Sequence, residues 1–153
     1  MMVSKLNDAR NKVLNVLVLN KSKMVDNATG LVTKDSCNAA CQKFGAGVYV
    51  PKLTTTKNEP WIGANYDEAG DYYFNDQPFS SWTFDVAKLE WRPPYAFDEQ
   101  VHSTAGYNGF KWKEATRKFH ANKPATNNND WIYDEVAGTW SDTGEAWVGP
   151  GAE

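Results

Sequence analysis

The chain has 153 residues, a formal net charge of −3, and is 41% hydrophobic and 23% charged, which suits one ordinary domain or two very small ones. Its mild acidity and the lack of a Lys/Arg stripe exclude a nucleic-acid binder, which must neutralise phosphates. The longest apolar run, Val16–Leu19, is far too short to cross a bilayer, and Met1–Asn7 holds no apolar segment of the kind that opens a secretion signal.

The two halves of the chain differ. Only Phe44 and Tyr49 of the 21 aromatics precede residue 60, whereas 14 of the 21 Leu, Ile and Val residues do. Residues 1–60 carry net +5 and residues 61–153 net −8. These shifts place a boundary near residue 60, between an N-terminal unit (1–60) and an aromatic unit (61–153). The expected fold is mostly β: a small hairpin-and-helix unit followed by aromatic β-hairpin repeats, partly extended.

Taken in order, Val3–Leu6 and Val13–Leu19 read as strands of a hairpin around the turn cluster Asn7–Asn11. The second strand is apolar enough to need cover on both faces. Asn20–Gly30 is polar and loop-like. Asp35 or Ser36 can N-cap a short helix over Cys37–Phe44, closed by Gly45. Its apolar stripe is Cys37, Ala40, Cys41 and Phe44, and it should cover the hairpin. Val48–Val50 is a further strand ended by Pro51, and Thr54–Pro60 is a polar connector.

The two cysteines are too few for a four-ligand zinc site without a nearby His and lack redox Cys-x-x-Cys spacing. They read as small buried hydrophobes with reduced thiols, the alternative being a metal shared between subunits. No metal site and no cofactor is assigned.

From Trp61 onward one pattern recurs. Trp131–Trp140 reads Trp-Ile-Tyr-Asp-Glu-Val-Ala-Gly-Thr-Trp, and Ala64–Tyr73, Ser81–Trp91 and Phe110–Phe119 are variants. A central aromatic (Tyr66, Phe84, Trp112, Tyr133) is followed by Asp, or once by Lys113, and a second aromatic closes the copy (Tyr73, Trp91, Phe119, Trp140). In three copies another aromatic stands two positions earlier (Trp82, Phe110, Trp131). Side chains alternate along strands, so a four-residue loop puts the central and closing rings directly across a hairpin. Such pairs are worth roughly up to 1 kcal/mol each. The Asp can cap turn amides; Lys113 cannot, so the third turn should be weaker. A lone hairpin is marginal in water, so the copies need neighbours. The central aromatics are 18, 28 and 21 residues apart, which excludes a propeller or uniform solenoid. Asn75–Pro78, Pro93-Pro94 and Asn122–Asp130 interrupt regular structure, and Gly149-Pro150-Gly151 reads as a flexible tail.

Several of these stretches carry a resemblance: Val13–Leu19 after its Asn/Asp turn, Ile62-Gly63-Ala64-Asn65-Tyr66-Asp67, Pro78–Phe84 with Glu90-Trp91-Arg92-Pro93-Pro94, and the final Trp131–Trp140 motif. Together they resemble small virion-associated structural proteins of tailed phages, especially phages of marine cyanobacteria. The resemblance covers most of the chain and is thinnest at 20–60 and 95–109; Lys113 departs from the pattern. It implies a peripheral component of the particle, made in the host cytoplasm. The component would be a head decoration or cement protein, or part of the tail, baseplate or fibre. The resemblance brings no catalytic residues; the aromatic faces, which need neighbours, point to contacts with capsid or tail subunits and to a homo-oligomer.

The residues are consistent with a non-enzyme. Asp67-Glu68 and Asp134-Glu135 fall at turn positions and do not flank a substrate bond as glycosidase carboxylates must. His102 and His120 stand apart from any Ser or Cys nucleophile pattern and read as structural or surface residues. The candidate site is therefore the set of aromatic anchors Tyr66, Tyr73, Trp82, Phe84, Trp91, Phe110, Trp112, Phe119, Trp131, Tyr133 and Trp140. They read as core or protein-protein interface, where Trp and Tyr are enriched. The alternative is a stacking platform for sugars in a carbohydrate-binding module at a fibre tip.

Overall fold

The structure, a computed structural model, describes residues 1–150. It is mostly β, with 39% strand against 13% helix, as the alternating patterns imply. Of the tail expected at Gly149–Gly151, Gly151 lies outside the described residues. The chain divides into two compact units: Met1–Asp76 with Asp85–Glu90, and Gln77–Phe84 with the chain from Trp91 onward.

The first unit is built on β1 (Met2–Leu6), β2 (Val13–Val18), α1 (Lys34–Cys41) and β3 (Val48–Pro51). The strands form an antiparallel sheet of order β2-β1-β3, with Ser4 opposite both Val16 and Val50. Period-two alternation sends Leu6, Val13 and Val50 to one face and Val3 and Tyr49 to the other. Each face has its own cover, as the apolar β2 requires. α1 covers the second face with Cys37 and Cys41, joined by Met24. The first aromatic hairpin, β4 (Asn65–Asp67) and β5 (Tyr72–Phe74), covers the first face through Tyr66 and Tyr73. This second cover explains why the units separate after Asp76 and not at the compositional break near residue 60.

Thr33 N-caps α1, where the sequence pointed to Asp35 or Ser36; its hydroxyl accepts from Ser36 N–H, and Ser36 closes the capping box. Gln42–Phe44 tighten into a 3₁₀ turn ending at Gly45 (φ +112°). The tighter turn rotates Phe44 off the expected apolar stripe and leaves it exposed. Both sheet edges are partly blunted. Asn38 Oδ1 accepts the Tyr49 N–H on the β3 side. On the β2 side, Val13 N–H donates to Ala64 C=O and Gly63 N–H to Val13 C=O.

The second hairpin is β6 (Thr83–Asp85) with β7 (Glu90–Arg92). In the second unit, α2 (Glu99–Thr104), capped by Asp98, is a helix the hairpin pattern does not foretell. It is followed by β8 (Asn108–Lys113), β9 (Lys118–Lys123), β10 (Asn127–Asp134) and β11 (Thr139–Ala146). These form one antiparallel sheet of order β11-β10-β9-β8.

Two expectations are corrected here. The third and fourth repeats are not links in a loose chain, because β9 pairs with β10. Asn122–Asp130 does not interrupt the sheet; it carries β9 and β10 around a tight turn closed by Thr126 N–H to Lys123 C=O. Pro124 sits in that turn, where its missing N–H costs nothing, and a register shift between Asn127 and Asp130 absorbs the irregularity.

All four repeats share one loop conformation. The fourth loop residue is left-handed each time: Asp71 (φ +54°), Leu89 (+57°), Arg117 (+52°) and Gly138 (+68°). Only the last copy uses the residue that adopts this shape without strain.

Candidate aromatic contact surface

The anchors pair as their spacing requires. Tyr66 lies opposite Tyr73, Trp112 opposite Phe119, and Tyr133 opposite Trp140. Ring centroids are 4.9, 5.1 and 5.2 Å apart, and Phe84 and Trp91 are 5.2 Å apart. The capping Asp also acts as expected. Asp67 accepts from Gly70 N–H, Asp85 from Ala87 and Lys88, and Asp134 from Val136 and Ala137. In the third copy Lys113 turns away to Asp130, 2.5 Å off. That loop is held by backbone bonds of 3.2 and 3.3 Å from Thr116 and Arg117 N–H.

Burial divides the anchors into two groups. Tyr66, Tyr73, Trp112 and Phe119 are buried. Trp82, Phe84, Trp91, Phe110, Trp131, Tyr133 and Trp140 keep part of their surface in solvent. The first pair belongs to the core of the first unit. Tyr73 Oη hydrogen-bonds Ser4 Oγ at 2.7 Å, and Tyr66 Oη donates to Asp71 while accepting from Lys34. Burial and then the Asp71 carboxylate raise the Tyr66 pKa strongly.

In the second unit, Phe110, Trp112, Phe119, Tyr133 and Trp140 line one sheet face. That face has a lid that hairpin spacing does not reveal. Phe97 stacks on Phe119 at 3.9 Å and meets Tyr133 and Trp140 edge-on. Tyr95 contacts Trp112 and Phe119, and its hydroxyl accepts the Phe119 N–H. His102, on α2, stacks on Phe97 at 4.5 Å and accepts from Trp140 Nε1 at 3.2 Å; burial lowers its pKa. Tyr107 stacks on Trp140 at 4.7 Å. Asp98, an acidic cap before a short polar run, was the one signal that could have found α2.

At the end of this face Trp82 packs edge-on to Trp112, and Phe79 joins them. Glu114 fastens the segment. Its carboxylate accepts from Ser80 Oγ, Ser81 N–H and Oγ, and Trp112 Nε1, at 2.6–2.9 Å. These donors pull its pKa down to about 2.

The opposite sheet face is polar. Asp130, buried, contacts His120 Nδ1 at 3.0 Å and Lys113 Nζ. Burial lowers the His120 pKa despite the carboxylate. Thr116 Oγ1 lies 3.1 Å from His120 Nε2, so a hydroxyl, an imidazole and a carboxylate stand in series. The sequence set His120 apart from any Ser or Cys nucleophile pattern; the hydroxyl beside it is a threonine's. The adjacent Thr116 and Arg117 amides are already given to Lys113 and Glu114 carbonyls. Thr116 Oγ1 also donates to Lys113 C=O at 3.2 Å, so the series ties the third turn to the sheet.

In the first unit, an apolar groove of about 690 Å³ is lined by Met1, Met2, Val18, Leu31 and Leu53 among others, with Lys21, Lys52 and Glu59 also at it. Val18 and Leu31 are 78% and 65% exposed. Cys37 and Cys41 are free and buried. Among the described residues no group of three or more His, Cys, Asp or Glu side chains is placed to hold a metal ion, and no helix is long and apolar enough to cross a membrane.

No known family model, curated protein or solved structure matches this chain.

Proposed function

We propose that the protein is an accessory structural component of a phage particle, a head decoration or a tail, baseplate or fibre part, acting by protein-protein contact. The virion setting rests on the sequence resemblance. The contact mechanism rests chiefly on seven aromatic anchors that are fixed by ring pairing yet keep partly exposed surface. Rings already ordered lose little entropy when a partner covers them, which is how aromatic hot spots give affinity. The exposed Val18 and Leu31 beside the groove add an apolar patch of the kind interfaces use.

Mass spectrometry of purified particles, with antibody labelling of intact virions, tests this reading. The chain is expected in purified particles at a fixed copy number. A chain abundant in infected lysate but missing from purified particles refutes the role.

Carbohydrate recognition has its best candidate at Trp131, which sits beside Asn127, Asn129 and Asp142. Those groups are already paired with one another: Asn127 and Asn129 donate to Asp142, and Trp131 Nε1 donates to Asn127. Quenching of tryptophan fluorescence by host-surface glycans, lost in Trp131→Ala, would favour that reading over the first.

A further inference from the structure

We propose that Cys37, Cys41 and Met24 form a binding site for one soft monovalent metal ion of the Cu(I) or Ag(I) class. The two thiols lie one helical turn apart on α1, with Sγ atoms 4.0 Å from each other. Met24 Sδ lies 3.6 Å from Cys37 Sγ. All three residues are at most 2% exposed.

The spacing suits the ion. Soft thiolate and thioether donors select Cu(I) over harder ions. A metal–sulfur bond of roughly 2.3 Å in a trigonal plane sets the donors roughly 4 Å apart. Three sulfurs do not complete the four-ligand shell of structural zinc.

The third donor is held in place by the helix that carries the other two. Ser36, which closes the α1 capping box, also donates its hydroxyl to Met24 C=O at 2.7 Å, and Met24 N–H donates to Lys21 C=O. A cavity of about 200 Å³ reaches Met24 and Cys41 from the surface, with Lys23, Lys43 and Phe44 also lining it.

Binding is an exchange without redox change: one M⁺ replaces the protons of two thiols, giving a bis-thiolate, thioether complex of net −1 and two released protons. Lys23 and Lys43 at the cavity supply the compensating charge.

The test uses the full chain, reduced and anaerobic, titrated with Cu(I) held by a competing chelator. The expected result is withdrawal of one ion per chain, an ultraviolet thiolate-to-Cu(I) charge-transfer band, and release of two protons per ion. Cys41→Ser loses the band; Met24→Leu keeps a thiolate band but competes less well. Near-ultraviolet circular dichroism of the metal-free variants reports whether they fold. If Cys41→Ser does not fold, protection of the wild-type thiols from alkylation by stoichiometric Ag(I) decides instead. No withdrawal from the chelator, unprotected thiols, or binding that Met24→Leu and Cys41→Ser leave unchanged overturns the proposal.

Discussion

Phe97 stacks on Phe119 with ring centroids 3.9 Å apart and planes 16° from parallel, although Phe97 belongs to no repeat. It also touches Phe110, Tyr133, Trp140 and His102, so it joins both C-terminal hairpins to α2. Phe97→Ala is expected to cost about 3 kcal/mol, the low end for a buried Phe because the ring keeps some exposure. Equilibrium denaturation checks this. Loss below about 1 kcal/mol, the size of a single aromatic pair, would show that the ring is a bystander.

The left-handed loop position predicts a gain. Arg117 is exposed and adopts φ +52°, a conformation that burdens residues with a Cβ by roughly 1 kcal/mol or more. Arg117→Gly should raise stability by about 0.5–1 kcal/mol after the extra chain entropy of glycine is deducted. Gly138→Ala should lower it by about 1 kcal/mol through the backbone alone, since a Cβ there meets nothing within 4 Å. Paired thermal melts of the two variants read opposite signs.

Acid should loosen the Glu114 fastening. Its folded pKa lies below its ordinary 4.5, at about 2. The stabilisation it gives is therefore complete above about 4.5 and is lost as pH falls toward 2. Melting temperature followed from pH 5 down to 2 should fall less steeply in Glu114→Gln, which starts from a lower value. Parallel curves would refute the assignment.

His120 should resist protonation. Burial lowers its pKa from the ordinary 6.5, so its contribution is complete above 6.5 and is lost as pH drops through the folded value, while the unfolded chain takes up the proton. Proton NMR of the imidazole ring should titrate below 6.5; a midpoint above it would mean that the Asp130 contact outweighs burial. Asp130→Ala is expected to cost roughly 2–3 kcal/mol, since it strips partners from His120 and Lys113 together.

The hairpins were legible because ring, acid and loop length agree. Period two and a four-residue loop leave one register for Tyr133 and Trp140, and the structure has it. The N-terminal hairpin and β3 were legible because alternation acts locally; α1 was legible as a helix but starts at Lys34, earlier than expected, because Thr33 takes the cap. The lid was not, because Tyr95 and Phe97 follow Pro93-Pro94 with no periodicity of their own and are ordered only by the rings they cover. Asn122–Asp130 misled because Asn and Pro usually mark loops. Here the asparagines are satisfied by a neighbouring strand, as where Asn127 and Asn129 donate to Asp142. The Met24–Cys37 contact joins a polar loop to a helix across 13 residues, a distance no local pattern spans.

The shared loop shape leaves the apex position of the second and fourth copies chemically unconstrained. There the backbone angles and the preceding carboxylate define the bend, so Val136, 92% exposed, and its counterpart Ala87, also exposed, have little structural duty. Each of these two apices is thus a place where sequence can drift, or where a short epitope can be displayed, without disturbing the sheet beneath it.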